Sequence, residues 1–398
     1  MEIAELTALL TPEGLRLLDE VGEVSSSDEA LRAVSQLRKA GHSPDLVSAV
    51  VSQAHLRVKA QAKFGEFASR MLFTRAGLEQ ATRLAIAGRH AARFRDAGLT
   101  RVADLGCGIG GDALGLAALG LRVDAVDMDE ITAAVAAYNL APFGDAVTVR
   151  HGSAESCDLK EVDAAWLDPA RRTAGHSETS RTRPEDWSPS LDWVLDLATR
   201  LPVGVKLGPG LDRTLIPDDV ETQWVSADGS TLELVLWSGA LARKGVRRSA
   251  LVMRGDSAHE MTSGADAEDE PARELGAFVH EPDGAVIRAR LIGDVARSLD
   301  AGMLDEHIAY LTSDAAVTSP FVQSFRVREV LPIKTKALNS ALRTQNIGTL
   351  EIKKRGVDVD PAAFRRTLTL RGDASATLIL ARIGNKRVAI LADRVAAA

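Results

Sequence analysis

Asp104-Leu105-Gly106-Cys107-Gly108-Ile109-Gly110-Gly111-Asp112 decides how this chain is read. The string continues Val102-Ala103-Asp104-Leu105, a short apolar run that reads as a buried strand, and it leads into a helix from about Asp112 to Leu119. Alternating glycines after a strand let the backbone turn sharply and let a ligand approach it closely. The same string satisfies the dinucleotide pattern through Gly106, Gly108 and Gly111, so the glycines alone do not choose the ligand.

Outward from the loop, strands and helices alternate. Arg122 to Val126 reads as a second strand, Ile131 to Asn139 as a helix, Ala146 to Arg150 as a third strand and Asp163 to Leu167 as a fourth. A helix over Ser190 to Arg200 and a fifth strand over Val203 to Lys206 follow. Such alternation predicts a mostly parallel sheet covered on both faces, an α/β fold. The run ends differently, in two β-type segments, Thr222 to Ala227 and Ser230 to Trp237, joined by Asp228-Gly229. Asp-Gly is a strong hairpin signal because the turn needs positive φ at both central residues. A Rossmann-like parallel sheet that finishes in an antiparallel hairpin is the layout of S-adenosylmethionine methyltransferases and not of a plain dinucleotide dehydrogenase.

The side chains around the loop point the same way. Asp104 stands two residues before the first glycine, where a carboxylate can hold an ammonium, directly or through water, and would repel a pyrophosphate. S-adenosylmethionine has the ammonium and lacks the pyrophosphate. Asp127 closes the second strand and can accept both hydroxyls of a ribose, with Met128 placed to pack on adenine. His151-Gly152-Ser153-Ala154-Glu155 follows the third strand, where Ser153 and Ala154 would meet the adenine edge. The candidate cofactor set is therefore Asp104, Gly106, Gly108, Gly110, Asp127, Met128, Ser153 and Ala154.

Trp166-Leu167-Asp168-Pro169-Ala170-Arg171-Arg172 ends the fourth strand at the carboxyl edge of the sheet, where substrate enters such folds. Enzymes that methylate exocyclic base nitrogens carry Asp or Asn, then Pro-Pro and an aromatic residue, at this place. Here Asp168 and Pro169 are kept, while Ala170 and Arg171 replace the second proline and the aromatic. Arg171 can still stack on a flat base or pair with a phosphate. Asp-Pro-x-Arg also resembles the string of 5-methyluridine enzymes, but those need a later cysteine nucleophile and none follows Cys157. Asp168, Pro169 and Arg171 are the catalytic candidates, with Arg172 and Lys206 as substrate contacts; Asp168 tied to a neighbouring arginine is the structural alternative.

The totals set the frame. A chain of 398 residues is too long for one core, and two to four domains are expected. No apolar run approaches the roughly 20 residues of a membrane span. The acidic start, Met1 to Glu5, does not resemble a secretion signal. Two cysteines exclude a disulfide framework and point to the cytoplasm, and no His/Cys group has metal-ligand spacing. Residues 1 to about 95 read as helices, including one from about Arg75 to Arg95, and Ser257 to Pro271 as an acidic loop. The net charge of −7 conceals an asymmetry: from Arg326 onward there are 15 Lys and Arg against 6 Asp and Glu, a balance of +9 that leaves −16 for the rest. A basic tail on an acidic body suggests an anionic partner, against the alternative of a solvated charged surface.

Several strings together resemble a known family, the bacterial class I S-adenosylmethionine-dependent methyltransferases with a THUMP-like C-terminal domain. They are Leu72-Phe73-Thr74 leading into Gly77 to Thr82, Asp104 to Asp112, Leu167 to Arg172, Val205 to Gly210, and Gly348 to Gly356 with its Lys353-Lys354-Arg355. The resemblance implies an N-terminal helical region over 1–73, a methyltransferase domain over 74–240, an α+β ferredoxin-like module over 241–320 and a basic THUMP-like domain over 321–398. It also implies that Phe73, Thr74 and Gln80 line the cofactor pocket. Lys353, Lys354 and Arg355, with Arg365 and Arg366, would then meet an RNA backbone. A small-molecule or protein acceptor, and a non-catalytic binding protein, remain as alternatives.

Overall fold

The structure is a computed structural model and describes residues 1–171 and 187–396. It divides into two compact units. The first comprises Met1–Lys206 with Trp237–Ala242, the second Leu207–Leu236 with Arg243–Ala398.

The first unit begins with α1 (Ile3–Leu9), α2 (Pro12–Val21), α3 (Ser27–Lys39) and α4 (Pro44–Phe64). Local chemistry sets their starts: the Thr11, Ser26 and Ser43 hydroxyls accept from backbone N–H groups three residues on, and Pro12 and Pro44 hold first-turn positions. The first three helices pack around α4, which buries Val47, Val50 and Ala54 at helical spacing. On α3, Ala33 and Leu37 face inward while Leu31 stands 69% exposed, because it lies about 200° around the helix from Ala33.

The helix expected from Arg75 to Arg95 is two, α5 (Arg75–Gln80) and α6 (Leu84–Asp96). The interruption has a chemical cause. Lys63 Nζ donates to the carbonyls of Leu78, Glu79 and Ala81 at 2.7–2.8 Å and so satisfies the end of α5. Thr82 is drawn out of helical geometry to bond Asp112.

Five strands of this unit, β1 (Arg101–Leu105), β2 (Arg122–Asp127), β3 (Val147–His151), β4 (Ala164–Leu167) and β7 (Val203–Leu207), lie in the order β3-β2-β1-β4-β7, all parallel. The two-residue strands β5 (Ala170–Arg171) and β6 (Trp187–Ser188) pair antiparallel beside them. Helices α7 (Gly111–Ala118), α8 (Glu130–Leu140) and α9 (Leu191–Ala198) complete the alternation. Trp166 of β4 and Trp237 pack at 5.7 Å between ring centres with Phe94 edge-on to both, an aromatic core beneath the functional end of β4.

In the second unit, β8 (Glu221–Ala227) and β9 (Ser230–Trp237) form the expected hairpin, with φ +50° at Asp228 and +80° at Gly229. β10 (Arg248–Arg254) runs parallel to β8, and β11 (Ser257–Ser263) pairs antiparallel with β10. β11 occupies the start of the stretch that reads as an acidic loop. It is a polar edge strand, and its Glu260 carboxylate is taken up by Arg243 and Ser249.

A seven-stranded sheet follows, built from β12 (Phe278–Pro282), β13 (Gly302–Asp305), β14 (Ile308–Ser313), β15 (Val322–Pro332), β16 (Ile347–Arg355), β17 (Ala374–Ile383) and β18 (Lys386–Arg394) in the order β13-β14-β12-β15-β18-β17-β16. The strands of residues 248–313 are thus divided between two sheets. Helices α10 (Gly284–Arg288), α11 (Ile292–Ser298), α12 (Thr335–Thr344) and α13 (Pro361–Arg365) accompany this sheet. Its central strands bury both faces by strict alternation. Leu378, Leu380 and Leu391 pack with Leu338 and Leu342 of α12, while Ile379, Ala381 and Ile390 pack with Tyr310 and Phe325.

Candidate active site

The glycine loop leaves β1 and turns over the end of β2. Gly106 and Cys107 both donate their N–H groups to the Val126 carbonyl at 2.9 and 3.0 Å. Gly106, Gly108 and Gly110 have φ of +91°, +56° and +88°, a backbone path that favours glycine at each point. A Cβ on Gly106 would sit 3.3 Å from the Asp168 carbonyl oxygen, so the first glycine lets the cofactor loop close onto the end of β4. A Cβ on Gly108 would meet nothing within 4 Å.

Asp104 is 1% exposed, and its Oδ2 has no hydrogen-bond partner among the described residues. Burial pushes its carboxyl well above the usual range, nearby Asp112 and Asp168 push it further, and Lys206 partly offsets them. An orphaned carboxylate oxygen of this kind is completed by an ammonium or by the water that bridges to one. Asp127 is oriented by backbone: Oδ2 accepts from Gly108 N–H and Oδ1 from Asp129 N–H, both at 2.9 Å. Each oxygen keeps lone-pair capacity for one hydroxyl of a cis-diol. Burial raises the Asp127 carboxyl, and these two N–H groups pull it back. Met128 beside it is 58% exposed, Ser153 is half-buried and Ala154 is buried. This donor set fits S-adenosylmethionine: an anionic seat for the ammonium, a diol acceptor and an exposed apolar side chain for the base.

The segment Leu72-Phe73-Thr74 is pinned by two buried amides that a reading of the sequence missed. Gln53 Nε2 donates to Phe73 O and Gln53 Oε1 accepts from Phe73 N–H, at 2.7 and 2.9 Å. Asn139 does the same for Leu72 at 3.0 and 2.8 Å, and its Nδ2 also donates to Ile109 O in the glycine loop at 2.9 Å. The Phe73 ring is fully buried against Phe64, and Thr74 Oγ1 caps α5. What the segment offers a ligand is therefore backbone and the Thr74 edge, while Gln80 is exposed on α5.

At the end of β4, Asp168 Oδ2 lies 2.5 Å from Lys206 Nζ at the end of β7. Lys206 also donates to Thr82 Oγ1 at 2.9 Å, Thr82 donates to Asp112 Oδ2 at 2.7 Å, and His90 Nδ1 meets Asp112 Oδ1 at 2.9 Å. Asp112 feels a strong upward push from burial. The hydrogen bond and charge of His90, with Lys206 and Thr82, more than offset it and hold Asp112 below the usual carboxylate value. A polar chain of five side chains thus runs from the catalytic candidate Asp168 into the core. The sequence shows Asp112 within the glycine motif, but nothing in it marks His90 or Thr82 as its partners. Pro169 is half-buried, and the Arg171 backbone pairs with Trp187; Arg172 lies outside the described residues.

Lys353, Lys354 and Arg355 sit in the second unit on β16. Lys353 pairs with Glu281 at 2.7 Å and Glu351 at 3.5 Å, and Arg355 approaches Glu281 at 3.9 Å and lies over the Tyr310 ring. Lys354, on the opposite face by strand alternation, is exposed. Arg365 and Arg366 of the α13 end are exposed too. Among the described residues, no group of three or more His, Cys, Asp or Glu could hold a metal, and no helix is long and apolar enough to cross a membrane.

Comparisons with known proteins give the class of protein. A protein of Mycobacterium tuberculosis named as an uncharacterised S-adenosylmethionine-dependent methyltransferase is 34% identical over 347 residues, which cover 84% of this chain and 92% of its own. Residues 322–394 match a THUMP domain-like family, and residues 2–60 match a domain of unknown function, DUF8688. The crystal structure of a candidate methyltransferase from Porphyromonas gingivalis W83 has the same fold, at TM-score 0.70 and 20% identity over 93% of this chain and 99% of its own. The chain belongs to the S-adenosylmethionine-dependent methyltransferases, and its cofactor is S-adenosylmethionine.

Proposed function

We propose that this protein methylates RNA, with the acceptor atom oriented by Asp168 and the RNA backbone held by cations of the THUMP-like region. The approach of Gly106 to within Cβ contact of the Asp168 carbonyl carries the chemical part, because it brings the cofactor loop and the acceptor side chain to one place. Bound S-adenosylmethionine supplies a methyl group made electrophilic by its sulfonium. Asp104 takes the ammonium, Asp127 the ribose, Met128 the adenine face, and Ser153 and Ala154 the adenine edge; Gly106, Gly108 and Gly110 give the close approach, and Phe73 and Thr74 close the pocket from the helical side. Asp168 accepts a hydrogen bond from the acceptor amine or hydroxyl, so that its lone pair faces the methyl group. Pro169 stiffens the strand end, Arg171 and Arg172 contact the substrate, and Lys206 fixes the Asp168 carboxylate while carrying positive charge to the acceptor side.

The RNA part is supported by the THUMP-like match over 322–394 and by the +9 balance from Arg326 onward, two independent observations. Lys353, Lys354 and Arg355 contribute phosphate contacts, with Arg365 and Arg366. The setting we infer is the cytoplasm, where unpaired Cys107 and Cys157 stay reduced. One observation favours a second reading, a small-molecule or protein acceptor: Lys353 already pairs with Glu281 at 2.7 Å, which reduces the charge it offers to phosphate.

The test is transfer of radiolabelled methyl from S-adenosylmethionine to RNA isolated from a strain lacking the protein. Label in one RNA with the wild type and not with Asp168→Ala is the expected result. No label in any RNA, with cofactor binding intact by calorimetry, moves the acceptor to a metabolite or protein.

A further inference from the structure

The second unit contains a cavity of about 620 Å³ whose polar lining is dominated by arginine: Arg213, Arg288, Arg290 and Arg355, against Asp269 and Glu306. The charges are not equally committed. Arg213 is paired with Asp266, its Nη2 lying 2.9 and 3.0 Å from the two carboxylate oxygens, although Arg248 shares that carboxylate at 2.6 Å. Among the described residues, Arg288 donates only to a neutral acceptor, the Pro209 carbonyl, at 2.8 Å. Arg355 lies over the Tyr310 ring, has a buried Nε with no hydrogen-bond partner among the described residues, and has its carboxylate neighbour, Glu281, at 3.9 Å. Arg290 has no ion pair among the described residues, and neither Asp269 nor Glu306 pairs with any arginine of the lining.

Arg290 has a second unusual feature. It follows α10 with φ +59°, a left-handed conformation that a helix end ordinarily gives to glycine or asparagine. An arginine there accepts backbone strain, and the gain is a guanidinium delivered to the cavity rim. Gly284, Ile287 and Ile308 supply an apolar wall beside the cations. The cavity lies within the usual range for small-ligand sites and is far larger than a single phosphate needs.

We propose that this cavity binds a nucleotide through its phosphate, with Arg290, Arg288 and Arg355 as the anion contacts and the Ile287–Ile308 wall against the base. Guanidinium groups match phosphate oxygens in pairs, and three under-neutralised ones around one cavity select a multiply charged anion over a carboxylate. The phosphate can belong to the end of an RNA chain or to a free nucleotide. The proposal goes beyond the RNA reading above and does not require RNA to be the methyl acceptor.

The experiment is calorimetry on the full chain with adenosine 5′-monophosphate, and with adenosine as the phosphate-free control. The nucleotide binds at least tenfold tighter than the nucleoside, and Arg290→Asn weakens it at least tenfold. Because asparagine tolerates the left-handed backbone, Arg290→Asn keeps or raises the melting temperature, so lost binding is not lost folding. Arg288→Gln gives a second loss from a separate position. S-adenosylmethionine binding stays unchanged in both variants. Displacement of the bound nucleotide by a 5′-phosphorylated RNA hexamer, and not by its unphosphorylated form, assigns the site to an RNA end; no displacement by either assigns it to a free nucleotide. Equal affinity for nucleotide and nucleoside, or nucleotide affinity unchanged in both variants, overturns the proposal. Nucleotide binding that survives while no RNA is methylated leaves this site standing and removes the RNA reading.

Discussion

The glycine-loop site of the first unit and the arginine-lined cavity of the second are opposites in charge. The first gathers Asp104, Asp112 and Asp168 around the Lys206 ammonium, adds Asp127 beside Asp104, and leaves a buried carboxylate oxygen unpartnered among the described residues. The second gathers four guanidinium groups around two carboxylates and leaves Arg290 without an ion pair among the described residues. Each imbalance costs folding free energy when no ligand is present, and each specifies the charge of what would remove the cost. The cationic cofactor fits the first, and an anionic partner fits the second. One chain of net charge −7 carries both because the fold, not the sequence order, gathers the cations: Arg213, Arg288 and Arg290 lie before the basic C-terminal stretch and meet Arg355 only in the folded unit.

The largest expected effect breaks the first half of this contrast. Asp104→Ala removes the seat of the cofactor ammonium and weakens S-adenosylmethionine binding about 30- to 160-fold, the loss of a charge-assisted hydrogen bond of roughly 2–3 kcal/mol. The same variant melts at an equal or higher temperature, since an unpartnered buried carboxylate disappears. A melting temperature that falls with unchanged binding would make Asp104 purely structural. The raised Asp104 carboxyl adds a pH signature. Its protonated form competes with the ammonium, so cofactor affinity declines as pH falls and binding releases a proton. Calorimetry in two buffers of different ionisation heat measures that release, and none is seen in Asp104→Asn.

A smaller effect sharpens the second half. His280 is fully buried between the hydroxyls of Ser324 and Ser313, at 2.8 Å each, and burial pulls its imidazole down to about 4. The unfolded chain binds this proton near pH 6.5 and the folded one only near pH 4, so stability is complete above the unfolded value and is lost as pH falls between them. From pH 7 to pH 5.5 the loss is about 1 kcal/mol, carried by the second unit. His280→Asn flattens that dependence in pH-resolved denaturation, and an unflattened slope would assign the acid lability elsewhere. Smallest is Thr82→Val, which cuts the bridge between Lys206 and Asp112. It slows methyl transfer about 3- to 10-fold with cofactor affinity unchanged, the net worth of a hydrogen bond of roughly 1 kcal/mol.

The contrast also marks what the sequence could say. The glycine loop, Asp127 and the Asp228-Gly229 hairpin were legible because each is a local requirement: positive φ, a strand end, a two-residue turn. The basic C-terminal balance was legible because charge is countable. The chain from Asp168 through Lys206, Thr82 and Asp112 to His90 was not, since its members come from four separate segments that only the fold brings together. The same holds for Gln53 and Asn139, ordinary helix residues until their amides meet Phe73 and Leu72. Breaks were misread where a tertiary contact overrides a local pattern, as at Ala81 to Arg83, where Lys63 takes the helix-end carbonyls. Ion pairing hides most: Lys353-Lys354-Arg355 reads as three equal cations, whereas Glu281 pairs closely with Lys353, stands 3.9 Å from Arg355 and leaves Lys354 exposed.

The most direct test of the division between a cation-selecting and an anion-selecting half is the salt dependence of RNA methylation. With S-adenosylmethionine saturating, the KM for RNA should rise about two decades between about 50 and 200 mM salt, as for roughly four phosphate contacts, while the Kd for S-adenosylmethionine moves less than about twofold. A KM for RNA that does not respond to salt would contradict the account.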